Sequence, residues 1–407
     1  MNGVVNIKNT QQRGKGRVLG SCSVLHIIHD GMGNMIYVLL PVLAQQFGLS
    51  LTQVGMIKGA QSAATALFQI PVGLLSERVG ERALLASGTI LAGAAFILLT
   101  LSSQFFELLI ILFLGGIGLA VQHPLCSSLI SRAYSVKGRR GALGTYNFAG
   151  DVGKFLIAGS ASLLIAAGIA WQAPAVGLGI VAIVAAIFFI LILRRIDIGG
   201  RPQASRDDSN VITRGWGIID RPGFAALCLI AIIDNSTRAG ILTFVTFLMI
   251  DKGVTEGGAV QAIPAVIAGG MAGKLACGFI ADKIGVIRTV IITELATAIG
   301  IVLILVLPGI AAFFVLPLLG VALNGTSSVL YGTIGDLVEA DKQSRVFALF
   351  YTLTAVSTVI APLGFGVIGD WAGVHTAILT SGCIVLLTIP VTFILRSAVA
   401  GNEVSAC

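Results

Sequence analysis

The stretch of sequence that decides the fold is Gly73-Leu74-Leu75-Ser76-Glu77-Arg78-Val79-Gly80-Glu81-Arg82, a charged segment between two long apolar stretches. A related segment, Gly278-Phe279-Ile280-Ala281-Asp282-Lys283-Ile284-Gly285, begins 205 residues later and is followed by Arg288. That distance is about half of the 407-residue chain. A repeat of this length predicts two homologous halves, which in a membrane protein is typical of a moving carrier.

The composition excludes a soluble protein. Hydrophobic residues make up 56% of the chain and charged residues 11%, with a mean hydropathy of +0.96, whereas soluble domains carry about 25% charged residues. Most of the 26 Lys and Arg residues fall in the termini and in the loops of one membrane side. The positive-inside rule places that side in the cytoplasm. We therefore expect a multi-pass protein of the cell (inner) membrane with both termini cytoplasmic and no nucleic-acid partner.

Twelve stretches have the length of about 20 apolar residues that a membrane-spanning helix needs. Helices are expected because open strands leave backbone groups unpaired in lipid. The stretches are 18–45, 52–76, 83–102, 105–132, 142–168, 172–194, 222–250, 258–281, 286–306, 309–337, 345–369 and 373–396. The polar segment between the sixth and the seventh predicts an N-terminal bundle at 1–194, a cytoplasmic linker at 195–221 and a C-terminal bundle at 222–407.

Cysteine and glycine patterns indicate no redox or nucleotide chemistry. Five of the six Cys residues lie in apolar stretches and no Cys-x-x-Cys occurs, so we expect no disulfide and no cysteine metal site. Gly150-x-x-Gly153 lies inside a span and is interpreted as a close helix contact. The apolar run after the basic N-terminus lacks a small-residue cleavage site and is expected to be an uncleaved span. No nucleophile–base motif is present, so we expect neither enzymatic activity nor a cofactor.

The two charged segments resemble the signature of the major facilitator superfamily, Gly-x-x-x-(Asp/Glu)-(Arg/Lys)-x-Gly-x-(Arg/Lys). The matching residues are Gly73, Glu77, Arg78, Gly80 and Arg82 in the first copy and Gly278, Asp282, Lys283 and Gly285 in the second, with the last basic residue displaced to Arg288. The resemblance implies an all-α integral membrane protein with twelve transmembrane helices in two six-helix bundles around a central cavity. We expect the charged residues of both segments to form a latch that favours one conformer.

A narrower resemblance lies in the first half of the chain. Four segments are similar to the fosmidomycin-resistance branch of drug exporters: His26-x-x-His29-Asp30, Phe47-Gly48-Leu49-Ser50, Gln122-His123-Pro124 and Gly150-Asp151-Val152-Gly153. That branch usually has Glu after the His-Pro pair, where this chain has Leu125. It usually has Asn at the positions of His29 and Asp151.

Ionisable side chains at membrane depth are costly and are usually retained for function. His26 and Asp30 are four residues apart, so they share a helix face with Tyr37, and His29 lies on its flank. We expect Asp30 to load and release a proton near neutral pH, with His26, His29 and Asp151 taking part in the coupling. The alternative is a static His–Asp hydrogen bond that holds two helices together.

Arg238 is the expected centre of a substrate site, because a guanidinium grips a carboxylate or phosphate with two parallel bonds. Asp234, four residues earlier, and the pair of Asp151 with Lys154 are open to a second interpretation as internally neutralised ion pairs. Lys58 is expected either to face the cavity or to snorkel to the outer interface. The other expected substrate-binding residues are Gln122, His123, Asn147, Lys154, Tyr37, Asn324, Tyr331 and Lys274.

Two further residues are expected to have structural roles only. Glu294 is expected to pair with a neighbouring helix, and Tyr146 is expected to be an interface anchor at a span end.

Together these features predict a monomeric, proton-coupled secondary transporter that works by alternating access and exports small amphipathic or anionic molecules. Uptake of an organic anion by proton symport is the first alternative. A divalent metal-ion carrier using His26, His29, Asp30 and His123 is the second, although we expect no resident metal. A non-transporting membrane receptor is an alternative from another class. The expected partners are the substrate, protons and the lipid bilayer.

Overall fold

A computed structural model of the protein describes residues 2–134, 136–200, 216–334, 337–339 and 343–405. Nearly all of these residues lie in fourteen α-helices. The helices are α1 Asn2–Phe47, α2 Leu51–Val79, α3 Glu81–Leu99, α4 Phe105–Ala120, α5 Gln122–Ala133, α6 Val136–Ala166, α7 Gln172–Arg195, α8 Arg221–Asp251, α9 Glu256–Ala259, α10 Ala262–Ile284, α11 Val286–Val306, α12 Gly309–Thr333, α13 Gln343–Val385 and α14 Thr388–Ser405. The predicted all-α class is confirmed.

Ten helical segments in the described part of the chain are long and apolar enough to cross a membrane. They cover eleven of the twelve predicted spans, because the segment Leu349–Arg396 holds two of them. Those two are separated at Gly373, whose backbone angles of φ 85° and ψ 159° are not helical. The remaining predicted span is α2, a helix of 29 residues whose polar side chains, such as Lys58 and Gln61, lower its hydropathy. The protein is therefore a multi-pass integral membrane protein.

Three predicted spans are interrupted by a short turn, and each interruption precedes a proline. Pro124, Pro264 and Pro390 are the third residues of α5, α10 and α14. Proline has no backbone N–H, so the carbonyl four residues earlier loses its helical hydrogen bond and the helix is interrupted there. The turns near Pro264 and Pro390 were not predicted, and proline positions alone do not locate them, because Pro41, Pro71 and Pro317 lie inside uninterrupted helices.

Glycines with positive φ mark the same turns in both halves of the chain. Three pairs are each 205 residues apart: Gly48 (φ 62°) with Gly253 (φ 82°), Gly80 (φ 91°) with Gly285 (φ 89°), and Gly168 (φ 83°) with Gly373 (φ 85°). In the second and third pairs the known ψ values of 146–159° fall near a region that is essentially restricted to glycine. The repeat seen in the charged segments thus extends to three turns, and its offset relates each residue of the first half to a counterpart in the second.

Contacts divide the chain into two compact units. The N-terminal unit comprises Met1–Leu39 and Ala60–Asp208, and the C-terminal unit comprises Leu40–Gly59 and Ser209–Cys407. The core of the N-terminal unit is formed by buried residues such as Leu25, Leu125 and Tyr146. That of the C-terminal unit is formed by residues such as Leu227 and Phe350. The linker and the bundle boundaries predicted from the sequence stay a prediction, since most of the linker lies outside the described residues.

Candidate functional site

Asp30 is the centre of a polar site inside the N-terminal unit, and its carboxylate is contacted from three helices. His26 Nε2 on α1 lies 3.2 Å from Asp30 Oδ2, His123 Nε2 on α5 lies 3.4 Å from Oδ1, and Lys154 Nζ on α6 lies 3.0 Å from Oδ2. The Asp30 side chain is 12% exposed, whereas that of His123 is 48% exposed. The carboxylate is therefore largely enclosed, and His123 connects it to more open space.

The His26 ring is held in one orientation. Its Nδ1 donates a hydrogen bond of 2.7 Å to the carbonyl oxygen of Tyr146, and since a carbonyl only accepts, the proton of the neutral ring lies on Nδ1. The ring packs on Tyr146 with 4.2 Å between centroids and meets His123 edge-on at 5.0 Å. His26 Nε2 is thus directed at Asp30 with a free lone pair when the ring is neutral.

Two glycines of α6 allow that helix to approach α1 closely. A Cβ atom on Gly150 would collide with the His26 ring and the Asp30 carboxylate, and one on Gly153 would collide with the backbone of Ile27. The Gly150-x-x-Gly153 motif therefore makes the close helix contact that was predicted for it. It also gives the polar site its narrow dimensions.

His29 points away from this cluster. Its Nε2 donates a hydrogen bond of 2.8 Å to Thr89 Oγ1 on α3, because the Thr89 hydroxyl itself donates a hydrogen bond to the carbonyl oxygen of Leu85. The contact ties α1 to α3, and its partner is a hydroxyl group and not the Asp of the static His–Asp hydrogen bond considered from the sequence. A role for His29 in proton coupling stays a prediction that this geometry does not favour.

Lys154 bridges two carboxylates. Besides Asp30, it bonds Asp151 Oδ1 at 3.0 Å on its own helix, so the ion pair considered from the sequence is present and extends to α1. With both histidines neutral, the two carboxylates and one ammonium leave a net charge of −1. Asn147, which was expected on the same face, is exposed.

Gln122 and Tyr146 form a hydrogen-bonded pair next to the His26 ring. Gln122 Nε2 donates a hydrogen bond of 2.6 Å to Tyr146 Oη, and both side chains are almost completely buried. Gln122 thus positions Tyr146, which in turn orients His26. The burial of Tyr146 does not fit the interface anchor expected from the sequence; its position four residues before Gly150 was the signal that sequence reasoning missed.

Arg238 is the centre of a second polar site, inside the C-terminal unit. Its guanidinium donates to Asn235 Oδ1, to Ser327 Oγ at 3.2 Å and to Asn324 Oδ1 at 3.4 Å. All three acceptors are neutral. Within the described residues no ion pair joins Arg238 to Asp234, so the internally neutralised pair considered from the sequence is not formed. Asn324 was expected here, whereas Asn235 and Ser327 were missed.

Several other expected residues lie around these centres. Asp234, Arg238 and Tyr331 line one small cavity, and Tyr331 packs on Tyr351 with 5.3 Å between ring centroids. Lys58 is only 7% exposed, which does not fit snorkelling to the surface. Tyr37 is also buried and Lys274 is partly buried. A substrate contact for Tyr37, Lys58 or Lys274 stays a prediction.

The charged segments adopt the turns described above, but the side chains of Glu77 and Asp282 lie outside the described residues. The side chains of Arg78, Lys283 and Arg288 are exposed, and space is open at Gly73 and Gly278. Arg82 donates to the carbonyl of Leu193 at the end of α7 at 3.4 Å. A latch formed by these residues stays a prediction.

In the first charged segment, Glu81 forms an ion pair that was not expected from the sequence. It is buried and pairs with Arg132 on α5, and it also accepts a hydrogen bond of 3.2 Å from Ser128. Gly80, with its positive φ, turns the chain so that Glu81 enters the first turn of α3. This ion pair fastens α3 to α5 within the N-terminal unit.

A family model described as Major Facilitator Superfamily matches residues 22–316 and 265–405, which is nearly the whole chain. The chain belongs to the major facilitator superfamily. This finding confirms the resemblance carried by the two charged segments and the fold that it implied.

Among superfamily members of known name, the fosmidomycin resistance protein of Escherichia coli (strain K12) is 27% identical over 282 residues, which is 68% of either chain. The glycerol-3-phosphate transporter of Bacillus subtilis (strain 168) is 26% identical over 159 residues, covering 38% of this chain and 36% of that protein. The first match agrees with the narrower resemblance read from the first half. One of these relatives is named for resistance and the other for transport.

Solved structures of superfamily transporters share the fold. A bacterial homolog of the human lysosomal transporter Spinster, inward-facing and unoccupied, has a TM-score of 0.79 at 16% identity and covers 96% of this chain and 98% of its own. A POT family transporter in complex with 5-aminolevulinic acid has a TM-score of 0.75 at 13% identity and covers 96% of both chains. At such identities these likenesses concern the fold alone.

Proposed function

We propose that this superfamily member is a proton-coupled secondary active transporter that exports small amphipathic or anionic organic molecules by alternating access. Secondary transport itself follows from membership of the family. The observation that supports proton coupling is the contact of one enclosed carboxylate, Asp30, with basic side chains from α1, α5 and α6. We place the monomer in the cell (inner) membrane with both termini in the cytoplasm, following the positive-inside rule.

Protonation of Asp30 would change the packing of three helices at once. The ionised carboxylate attracts the Lys154 ammonium, and it attracts the His26 and His123 rings when these carry a proton on Nε2; a neutral carboxylic acid would lose most of its attraction for Lys154. Lys154 would then be held by Asp151 alone. Because the helix contacts depend on the proton, proton binding must favour a different arrangement of these helices, which is what coupling requires.

Two histidines offer a path for the proton. His123 is half exposed and its Nε2 faces Asp30, so it can take a proton from the open side. His26 keeps its Nδ1 proton on the Tyr146 carbonyl and presents Nε2 to the same carboxylate. Both rings can therefore exchange a proton with Asp30 through their Nε2 atoms, while His26 keeps its Nδ1 proton.

Arg238 supports an anionic substrate class. Its present acceptors are neutral, and two of the bonds are 3.2 Å and 3.4 Å long. A carboxylate or phosphate would replace them with shorter, charge-assisted bonds. The relative named as a glycerol-3-phosphate transporter fits this substrate class, and the relative named as a resistance protein fits export.

A metal-ion carrier is the competing function that one observation favours. Ligand atoms of His26, Asp30 and His123 lie within 4.8 Å of one another. However, the Lys154 ammonium lies 3.0 Å from an Asp30 oxygen and would repel a divalent cation there. His29, the fourth residue of that hypothesis, is engaged by Thr89. These contacts favour a proton over a metal ion.

The test uses purified protein in liposomes that contain a pH-sensitive dye. Organic anions, phosphonates and hydrophobic drugs are added in turn to the wild type, to Asp30→Asn and to the control Glu107→Gln, which removes a partly exposed carboxylate away from the site. We expect substrate-dependent proton movement in the wild type and the control and its loss in Asp30→Asn. Substrate and proton moving in opposite directions supports export, and movement in the same direction supports symport.

Two results would contradict the proposal. One is proton movement that Asp30→Asn retains in full. The other is flux of Zn²⁺ or Mn²⁺ without any proton movement, which would favour the metal carrier. Counterflow exchange of substrate by Asp30→Asn serves as the check that this variant is folded and still binds.

A further inference from the structure

A buried carboxylic acid on α11 has no part in the proposed mechanism. Glu294 is 0% exposed, and neither of its oxygens has a hydrogen-bond partner among the described residues. The hydroxyl of Thr326 on α12 approaches it but donates to Thr293 Oγ1 at 2.7 Å. An ionised carboxylate that lacks both water and hydrogen-bond donors is strongly unfavourable. Glu294 is therefore stable here as a neutral acid that carries a proton.

The repeat of the chain shows what Glu294 faces. With the 205-residue offset that the turn glycines establish, Glu294 is the counterpart of Thr89 and Asp234 is the counterpart of His29. His29 and Thr89 are in direct contact, at 2.8 Å, so these two positions face each other across α1 and α3. The same positions in the second half place Asp234 of α8 opposite Glu294 of α11, in agreement with the electrostatic interaction between the two carboxyl groups.

The surroundings of Glu294 contain little other charge. Arg238, one turn from Asp234 on α8, also interacts with it, and the charged residue of α10 at this depth is the partly buried Lys274. The described buried polar side chains of α13 and α14 are hydroxyl groups: Thr354, Ser357, Ser381, Thr388 and Thr392. Asp234 is itself only 2% exposed, so water does not screen the two carboxyl groups from each other.

We propose that Asp234 and Glu294 form a carboxyl pair that binds one proton, a second proton-binding site that lies in the C-terminal unit and is separate from Asp30. Two neighbouring carboxyl groups without screening cannot both ionise, so one of them keeps a proton. The Arg238 guanidinium lies near this pair without forming an ion pair with it, and its positive charge favours the one remaining negative charge. The first half cannot form this site, because its counterparts are an imidazole and a hydroxyl group.

The experiment measures the C=O stretch of protonated carboxylic acids by infrared spectroscopy of the full-length protein, titrated with pH. We expect the wild type to keep such a band at neutral pH, where exposed carboxyl groups are ionised. Glu294→Gln, which mimics the protonated side chain, should lose the band. Glu107→Gln removes a partly exposed carboxyl group, and Asp30→Asn alters only the other site, so both should keep it.

Asp234→Asn tests the pair independently of Glu294→Gln. Removing the neighbouring negative charge makes ionisation of Glu294 easier, so the band should disappear at a pH lower by about one unit or more. Thr297→Val, which removes a buried hydroxyl one turn from Glu294, should leave the titration unchanged. A neutral-pH band that survives Glu294→Gln, or a titration that Asp234→Asn does not move, would overturn the proposal. Neither readout depends on transport.

Discussion

The ammonium of Lys154 on α6 lies 3.0 Å from Asp30 Oδ2 on α1. The same ammonium bonds Asp151 at 3.0 Å, so one cation holds two carboxylates in a largely enclosed space. This arrangement makes the charge state of Asp30 a determinant of how α1 and α6 pack. Under the proposed function, protonation of Asp30 would weaken this contact between α1 and α6.

Replacing Lys154 tests that relationship. Lys154→Gln leaves Asp30 and Asp151 without their shared cation, and we expect the free energy of unfolding to fall by about 1–3 kcal/mol, less than for a fully buried pair because Lys154 is partly exposed. In Lys154→Gln/Asp30→Asn the loss should be smaller than the sum of the two single losses by about 1 kcal/mol. Unfolding by detergent titration measures it, with the exposed Lys283→Gln as control. Additive losses would show that Lys154 and Asp30 do not stabilise the protein through a shared interaction.

Arg238→Lys should weaken binding of an anionic substrate at least about tenfold, or 1.4 kcal/mol. An ammonium acts as a point charge and cannot reproduce the planar fork that reaches Asn235, Asn324 and Ser327. The thermal midpoint should change little, since the charge is kept. Isothermal titration with organic anions checks this, and Arg195→Lys on the exposed end of α7 is the matched control. Unchanged affinity would show that Arg238 does not bind the substrate.

Asp370 caps the first turn of α2 within the C-terminal unit. Its carboxylate accepts hydrogen bonds from the backbone N–H groups of Leu51 at 2.7 Å and Thr52 at 2.9 Å. Loss of such a cap costs about 1 kcal/mol, so Asp370→Ala should speed amide hydrogen exchange at these two positions roughly fivefold. Glu107→Ala, which removes the acceptor for the Ser103 N–H, should affect only the start of α4. Equal exchange in wild type and Asp370→Ala would show that the cap adds no stability.

Gly373 tests the turn shared by the two halves. Its φ of 85° and ψ of 159° are strained for any residue with a Cβ atom, so Gly373→Ala should destabilise the protein by about 1–3 kcal/mol. Gly364→Ala is the matched control, because Gly364 lies in the same helix α13 with open space around it. A melting curve in detergent compares the two. A midpoint for Gly373→Ala equal to that of Gly364→Ala would contradict the strain.

Features that depend on neighbours in the sequence could be predicted. Apolar length predicted twelve spans, of which the structure supports eleven by hydropathy, and the paired charged segments identified the repeat. The contact of His26 with Asp30 follows from their spacing of four residues, since one helical turn brings such residues together. The interruptions near Pro264 and Pro390 could not be predicted in the same way, because Pro41, Pro71 and Pro317 lie inside continuous helices.

By itself, then, the sequence determined the membrane class, the helices, the two homologous halves and the local pairs on one helix face. Only the tertiary structure decided that Lys154 and His123 meet Asp30, that His29 bonds Thr89, that Arg238 bonds neutral groups instead of Asp234, and that Glu294 is completely buried. The physical reason is that a helical period fixes the angles between residues of one helix. It does not fix the rotation of that helix against its neighbours, which is set by side-chain packing along its whole length.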